Sequence, residues 1–304
     1  VQGKFINKFK RSHRQLEKLI LREKGIKLSN PLKLRDLRLP VERKSLEQSI
    51  EKTINTDSKI LGAFFGGSVG SGQDDLYSDI DLRIVVSSDH IKTMAKNKID
   101  LAKKWGDLLF IESASFSRLL VVHYSHFIKM DLFLYTPEMI KASEWMKNVK
   151  IIKDFGDGFL QKVTDDSKKI IYVYSEHDYL DWRNKFFAHV HEAYRRSKRE
   201  EYYYALHDID ALRQLMAIGW YMEKGEQPND YGDWAKIEGK RTKLTTKELN
   251  LLASWNPTRN VNEILETINA IKPYFKDLCD KLTRKLPDVD DERVIEAVFN
   301  RIEE

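Results

Sequence analysis

Between two apolar stretches, residues 60–65 and 80–86, the chain places four glycines within seven residues (66–72). Two aspartates one residue apart, Asp79 and Asp81, follow. A short apolar run closed by glycines reads as a buried strand, and the alternating, β-branched run Ile-Asp-Leu-Arg-Ile-Val-Val reads as a second one. Side chains alternate along a strand, so Asp79 and Asp81 project to one face, a few ångströms apart. Two carboxylates that close repel strongly unless a cation lies between them.

The glycines add the complementary half. Backbone N–H groups in such a turn are sterically open and can wrap phosphate oxygens, with the Ser68 hydroxyl as a further donor. Magnesium accepts both carboxylate and phosphate oxygens. A glycine turn joined to a carboxylate pair therefore describes a site for a metal–nucleoside triphosphate, with Gly67 and Ser68 on the phosphates and Asp79 and Asp81 on the metal. Asp74 and Asp75, between the two halves, read as solvated loop acids.

Around this segment the pattern mixes strands and helices. Apolar residues at 16, 19 and 20 have helical spacing within 13–24. The Asn30-Pro31 and Leu39-Pro40 steps predict breaks, and a second helix is predicted from 41 to about 56. Another is expected over 89–105. Strands are expected at 108–112, 118–124 and 127–135, separated by a serine-rich step at 113–117 and by Ser125-His126.

After Gly156-Asp157-Gly158 the period changes. Ser175 and Asp178 form a capping pattern before a helix. Apolar stripes at 179–194, 206–220, 264–282 and 294–302 predict four or five amphipathic helices. The fold class expected is α+β: a basic helical segment (1–40), a mixed-sheet catalytic domain (41–160) and a C-terminal helical bundle (170–304).

Charge and cysteine content narrow the surroundings. Residues 1–44 carry fourteen of the 52 Lys/Arg and four of the 47 Asp/Glu, leaving 38 basic and 43 acidic residues in the rest. The net charge of +5 thus belongs to the N-terminal segment, which reads first as a solvated helix face and second as a contact for nucleic acid. The single cysteine, Cys279, excludes an internal disulfide and a multi-cysteine zinc site and fits a reducing compartment. No apolar stretch has the length of a membrane span, and no apolar segment typical of a secretory signal follows the basic start. A cytoplasmic protein without membrane contact is therefore expected.

The run Gly67-Ser68, nine intervening residues, then Ser78-Asp79-Ile80-Asp81-Leu82 resembles the signature of the DNA polymerase β-like nucleotidyltransferase superfamily. It is most similar to the bacterial aminoglycoside (streptomycin, kanamycin) and lincosamide nucleotidyltransferases, which pair a compact catalytic domain with a helical bundle. The motif covers about fifteen residues; the order of domains extends the likeness to most of the chain.

The resemblance implies a third carboxylate on a later strand, for which Asp131 is the match. It is a lone acid among apolar residues, where an unpaired charge is costly. It would complete the metal shell or take the proton of the acceptor hydroxyl, and Glu112 is the rival for the second role. The implied reaction is magnesium-dependent transfer of AMP from ATP, or of another NMP from its NTP, to a hydroxyl of a small cationic molecule of the aminoglycoside type. The implied purpose is antibiotic resistance, with acceptor binding assigned to the bundle. A transferase acting on RNA or protein, or a silent nucleotide-binding protein, are the alternatives. Arg183 and His189 also resemble the Arg-x(4–6)-His spacing of HEPN-type ribonucleases. The favoured reading for His189 and Glu192 is interior polar contact or lining of the acceptor cleft. Tyr202-Tyr203-Tyr204, Trp182, Trp220 and Trp234 read as core or interface.

Overall fold

A computed structural model describes residues 31–113, 118–286, 289 and 292–303. The helical pattern at 13–24 lies outside them, as do most of the basic N-terminal segment and most of the serine-rich step. The chain divides at Ile170/Ile171 into two compact units.

The first unit opens with helix α1 (Pro31–Thr56), which runs straight through Pro40. The predicted break there is wrong. Proline removes one backbone hydrogen bond and crowds the preceding turn, at a cost of about 3 kcal/mol. Against this, Leu39, Leu46, Ile50 and Ile54 are all buried in the core below the sheet. Burial of each large aliphatic side chain contributes roughly 1.5–3 kcal/mol, so the stripe outweighs the proline.

Strand β1 (Ile60–Phe65) leads into a short helix, α2 (Gly67–Ser71), and then into β2 (Ile80–Val86). Helix α3 (Ser88–Lys103) follows, then β3 (Leu108–Ser113), β4 (Leu119–Tyr124), β5 (Lys129–Tyr135) and β6 (Lys150–Lys153). Helix α4 (Phe159–Lys168) closes the unit. The fifth strand begins two residues later than predicted, because Phe127 takes a positive φ of 69° in the tight turn that joins β4 to β5. The sixth strand has too little alternation to be read alone; it exists by pairing with β1.

The six strands form one mixed sheet in the order β3-β4-β5-β2-β1-β6, with β2 and β5 the parallel pair. Even-numbered residues of this pair (Ile80, Leu82, Ile84, Met130, Leu132, Leu134) enter the main core with α1 and α3 residues. Odd-numbered residues face the other way. At one end of that second face Val85 and Tyr135 pack with Phe64, Ile140, Met146 and Leu160. At the opposite end of the pair lie the charged residues Asp81 and Asp131.

The second unit consists of α5 (Glu176–Lys198), α6 (Tyr202–Glu223), α7 (Thr246–Ser254), α8 (Val261–Thr283) and α9 (Glu292–Glu303). Ser175 caps α5 in a full capping box with Asp178, as its sequence predicts. The centre is aromatic: Phe275 stacks on Phe186 at 3.7 Å between ring centroids and meets Trp182 and Phe299 at 5.3 and 6.4 Å. Trp182 and Trp220 are buried, whereas Tyr203 and Tyr204 are exposed. The last two are not core residues; Arg259 lies over Tyr203 and Arg196 over Tyr204. Among the described residues no helix is long and apolar enough to cross a membrane.

Candidate active site

The backbone brings the glycine segment onto the start of β2. Gly66 N–H donates to Asp81 O at 2.9 Å. Gly66 then serves as N-cap of α2 without a side chain to cap it. The first N–H groups of a helix have no intrahelical acceptor, so this end presents donors suited to an anion. Gly67 sits at φ +56°, and a Cβ there would overlap Asp81 Oδ2. A Cβ at Gly66 would overlap the guanidinium of Arg83. Glycine is required at Gly67 by its positive φ and by the Asp81 carboxylate; at Gly66 a side chain would have to push the Arg83 guanidinium aside. Gly67 is exposed, while Ser68 is buried.

The predicted carboxylates converge. Asp81 and Asp131 are direct partners across the parallel β2–β5 pair. Asp79, just ahead of β2, joins them through Lys129, whose Nζ lies 3.6 Å from Asp79 Oδ2 and 2.8 Å from Asp131 Oδ1. Lys129 Nζ donates to Asp131 Oδ2 at 2.9 Å. The closer approach to Oδ1 is an ion-pair contact without hydrogen-bond direction, and this oxygen is buried with no hydrogen-bond partner. Asp131 is on an interior strand, so it is not an edge acid facing water.

Arg83 is the second cation. It lies 3.6 Å from Asp81 Oδ1, donates to Asp81 O at 3.3 Å and stacks over Phe133 at 5.0 Å. Burial raises the Asp81 carboxyl above its ordinary value; Arg83 opposes the shift, and the charges of Asp79 and Asp131 add to it. Lys129 is held above its ordinary value: burial pulls it down, but the bond to Asp131 and the charges of Asp131, Asp79 and Glu112 outweigh that.

Glu112 is placed apart. It lies on the edge strand β3, with β4 between it and β5. His123 Nε2 is 2.6 Å from its Oε1, and Phe110 stacks on the imidazole at 4.1 Å. Asp74 and Asp75 are engaged rather than simply solvated. Arg43, buried in α1, donates to Asp74 Oδ2 at 2.5 Å, to Asp75 O at 2.8 Å and to Ser78 O at 3.2 Å. Asp75 in turn accepts from Tyr77 N and Ser78 Oγ. One buried guanidinium thus fixes the strap that delivers Asp79.

The residues suit a divalent ion by three observations: a raised Asp81, a buried Asp131 oxygen without a hydrogen bond, and glycines that clear the space over Asp81. Among the described residues no three acid, imidazole or thiol groups stand close enough together, as placed, to hold a metal ion. In the second unit, Arg183 and His189 are engaged separately. Arg183 lies over Tyr179 and Phe187, whereas His189 is hydrogen-bonded through Nδ1 to buried Asp208 at 2.8 Å and through Nε2 to Tyr231 OH at 2.7 Å. Glu192 pairs with Arg195 and Arg196.

No family model matches the chain, and no curated protein matches it. Among solved structures, an aminoglycoside 6-adenyltransferase from Bacillus subtilis aligns with 86% of this chain and 95% of its own at 14% identity, with a TM-score of 0.40. A nucleotidyltransferase-like protein from Exiguobacterium sibiricum 255-15 aligns with 81% of this chain and 78% of its own at 11% identity, with a TM-score of 0.38.

Proposed function

We propose that the first unit is a magnesium-dependent nucleotidyltransferase that moves AMP from ATP to a hydroxyl of a small cationic acceptor. The observation that carries this reading is the meeting of an uncapped glycine turn with Asp81, directly opposite Asp131. Asp79, Asp81 and Asp131 would hold the ion, which when bound supplies charge neutralisation for the triphosphate. Gly67 and Ser68 bind the β- and γ-phosphates through backbone N–H groups. The acceptor oxygen bonds to the α-phosphorus, the bond from that phosphorus to the β-phosphate oxygen breaks, and pyrophosphate leaves. The acceptor proton passes to a carboxylate. Asp131 is assigned this role in preference to Glu112, whose carboxylate is taken by His123 on a more distant strand. Positioning and charge stabilisation provide most of the rate, as in other phosphoryl transfers.

The residues after 44 carry five more acids than bases, which favours a cationic acceptor over a polyanion. Aminoglycosides have that chemistry. The test incubates the full chain with each α-labelled NTP and separate aminoglycosides, lincosamides, tRNA and proteins, following pyrophosphate release and the labelled product. The reading predicts label on an aminoglycoside-type hydroxyl, with ATP the best donor. Label on RNA or protein alone would reject the acceptor class, and no release with any acceptor would reject the transferase.

A further inference from the structure

The charged end of the sheet holds three carboxylates and two cations, and the two cations are held differently. Arg83 is fixed by the Phe133 ring, the Asp81 carbonyl and the surface of Gly66. Lys129 projects from the same face of β5 as Asp131, two residues before it, and the contacts of its ammonium are with carboxylates: a hydrogen bond to Asp131 Oδ2, an ion-pair approach to Asp131 Oδ1 and another to Asp79 at 3.6 Å. A lysine ammonium is a compact point charge on a flexible stem, able to leave without moving the backbone.

Resting on the reading of this site as a metal-binding carboxylate set, we propose that Lys129 is a resident counter-ion. It holds Asp79 and Asp131 together in the metal-free protein and gives up its place when a divalent ion binds. Three neighbouring carboxylates without a cation repel and pay for desolvation, so a metal-free fold needs an internal positive charge at this point. A divalent ion needs the same oxygens. The two cations therefore compete, and the apparent affinity for the metal is lowered by the cost of displacing the lysine. Lys129 is thus a positioning residue, and it raises the metal concentration at which the site fills while keeping the empty site folded.

The test compares wild type, Lys129→Met, Lys129→Arg and Asp81→Asn, using Mn2+ as the probe. Binding is read by electron paramagnetic resonance of free Mn2+, and thermal unfolding is measured with chelator and with Mn2+. The methionine variant is expected to unfold at a lower temperature in chelator, to bind Mn2+ about tenfold more tightly, and to show a larger stabilisation by Mn2+ than wild type. The arginine variant keeps the charge and is expected to keep the metal-free stability. Equal or weaker Mn2+ binding by Lys129→Met, or unchanged stability in chelator, would overturn the role of Lys129 provided wild type binds Mn2+ and Asp81→Asn does not. If wild type itself binds no Mn2+, the metal reading of the site fails, and the counter-ion role fails with it.

Discussion

Asp81 and Asp131 stand directly opposite one another in the parallel pair of β2 and β5, each on the sheet face turned away from the main core. They are 50 residues apart in the chain, and the register of one strand pair brings them together. Every position around them is then constrained by what these two strands project.

Gly67 is the sharpest case. Gly67→Ala would put a Cβ into Asp81 Oδ2 at a backbone angle that favours glycine. A stability loss of about 1–3 kcal/mol is expected from the strain, with pyrophosphate release reduced by about a hundredfold because the carboxylate is displaced. Chemical denaturation and the transfer assay on the same preparation check both numbers.

Arg43 joins α1 to the strap before Asp79 with three hydrogen bonds from one buried guanidinium. Arg43→Met leaves Asp74 and the Ser78 carbonyl without this donor and the Asp75 carbonyl with only Ser78 N–H. Asp74 is partly exposed and can recover water, so the loss expected is about 2 kcal/mol rather than the larger cost of a fully buried pair. Arg43→Lys should not restore it, because an ammonium cannot reproduce the planar fork. Urea unfolding of the two variants beside wild type measures this.

Asp81 gives a pH signature. Its folded carboxyl lies above the ordinary 3.8. A raised acid prefers its protonated form in the folded state, so its contribution to stability is fully present below 3.8 and is lost as pH rises through the elevated value. In chelator at neutral pH, Asp81→Asn is therefore expected to unfold at a higher temperature than wild type, by about 2–4 °C. The difference should vanish below pH 3.8. Thermal unfolding across that range tests it.

In the second unit the Asp208–His189–Tyr231 chain ties the segment after α6 to the bundle. Tyr231→Phe should cost about 1 kcal/mol, since one partly exposed hydrogen bond is lost. Asp208→Ala should cost about 3 kcal/mol, since it strands a half-buried imidazole beside an emptied polar site. Denaturant titration of both variants provides the comparison.

The candidate acids were legible because they obey short periods. Asp81 and Asp131 stand on strands whose alternation is visible in the sequence, Asp79 sits one residue ahead of the first of them, and Gly66 and Gly67 punctuate the strand before. The stripes of α5, α6, α8 and α9 were legible for the same reason. The partners were not. Arg43 reaches Asp74 across 31 positions, and His123 reaches Glu112 across a bulged strand pair; no local pattern encodes either. Lys129-x-Asp131 and Asp81-x-Arg83 did carry the period-two spacing, so the two cations could have been placed on the carboxylate face. Pro40 misled because the buried stripe of α1 decides that helix, and its strength depends on the sheet it packs against.

The three carboxylates are the proposed carriers of nucleotidyl transfer. The direct measurement is pyrophosphate release from α-labelled ATP, with the acceptor that supports the highest rate, in wild type, Asp79→Asn, Asp81→Asn and Asp131→Asn proteins shown to be folded. Loss of transfer by at least about a thousandfold in each variant is the predicted result. Near-wild-type release in folded Asp81→Asn would mean that transfer does not run through these carboxylates.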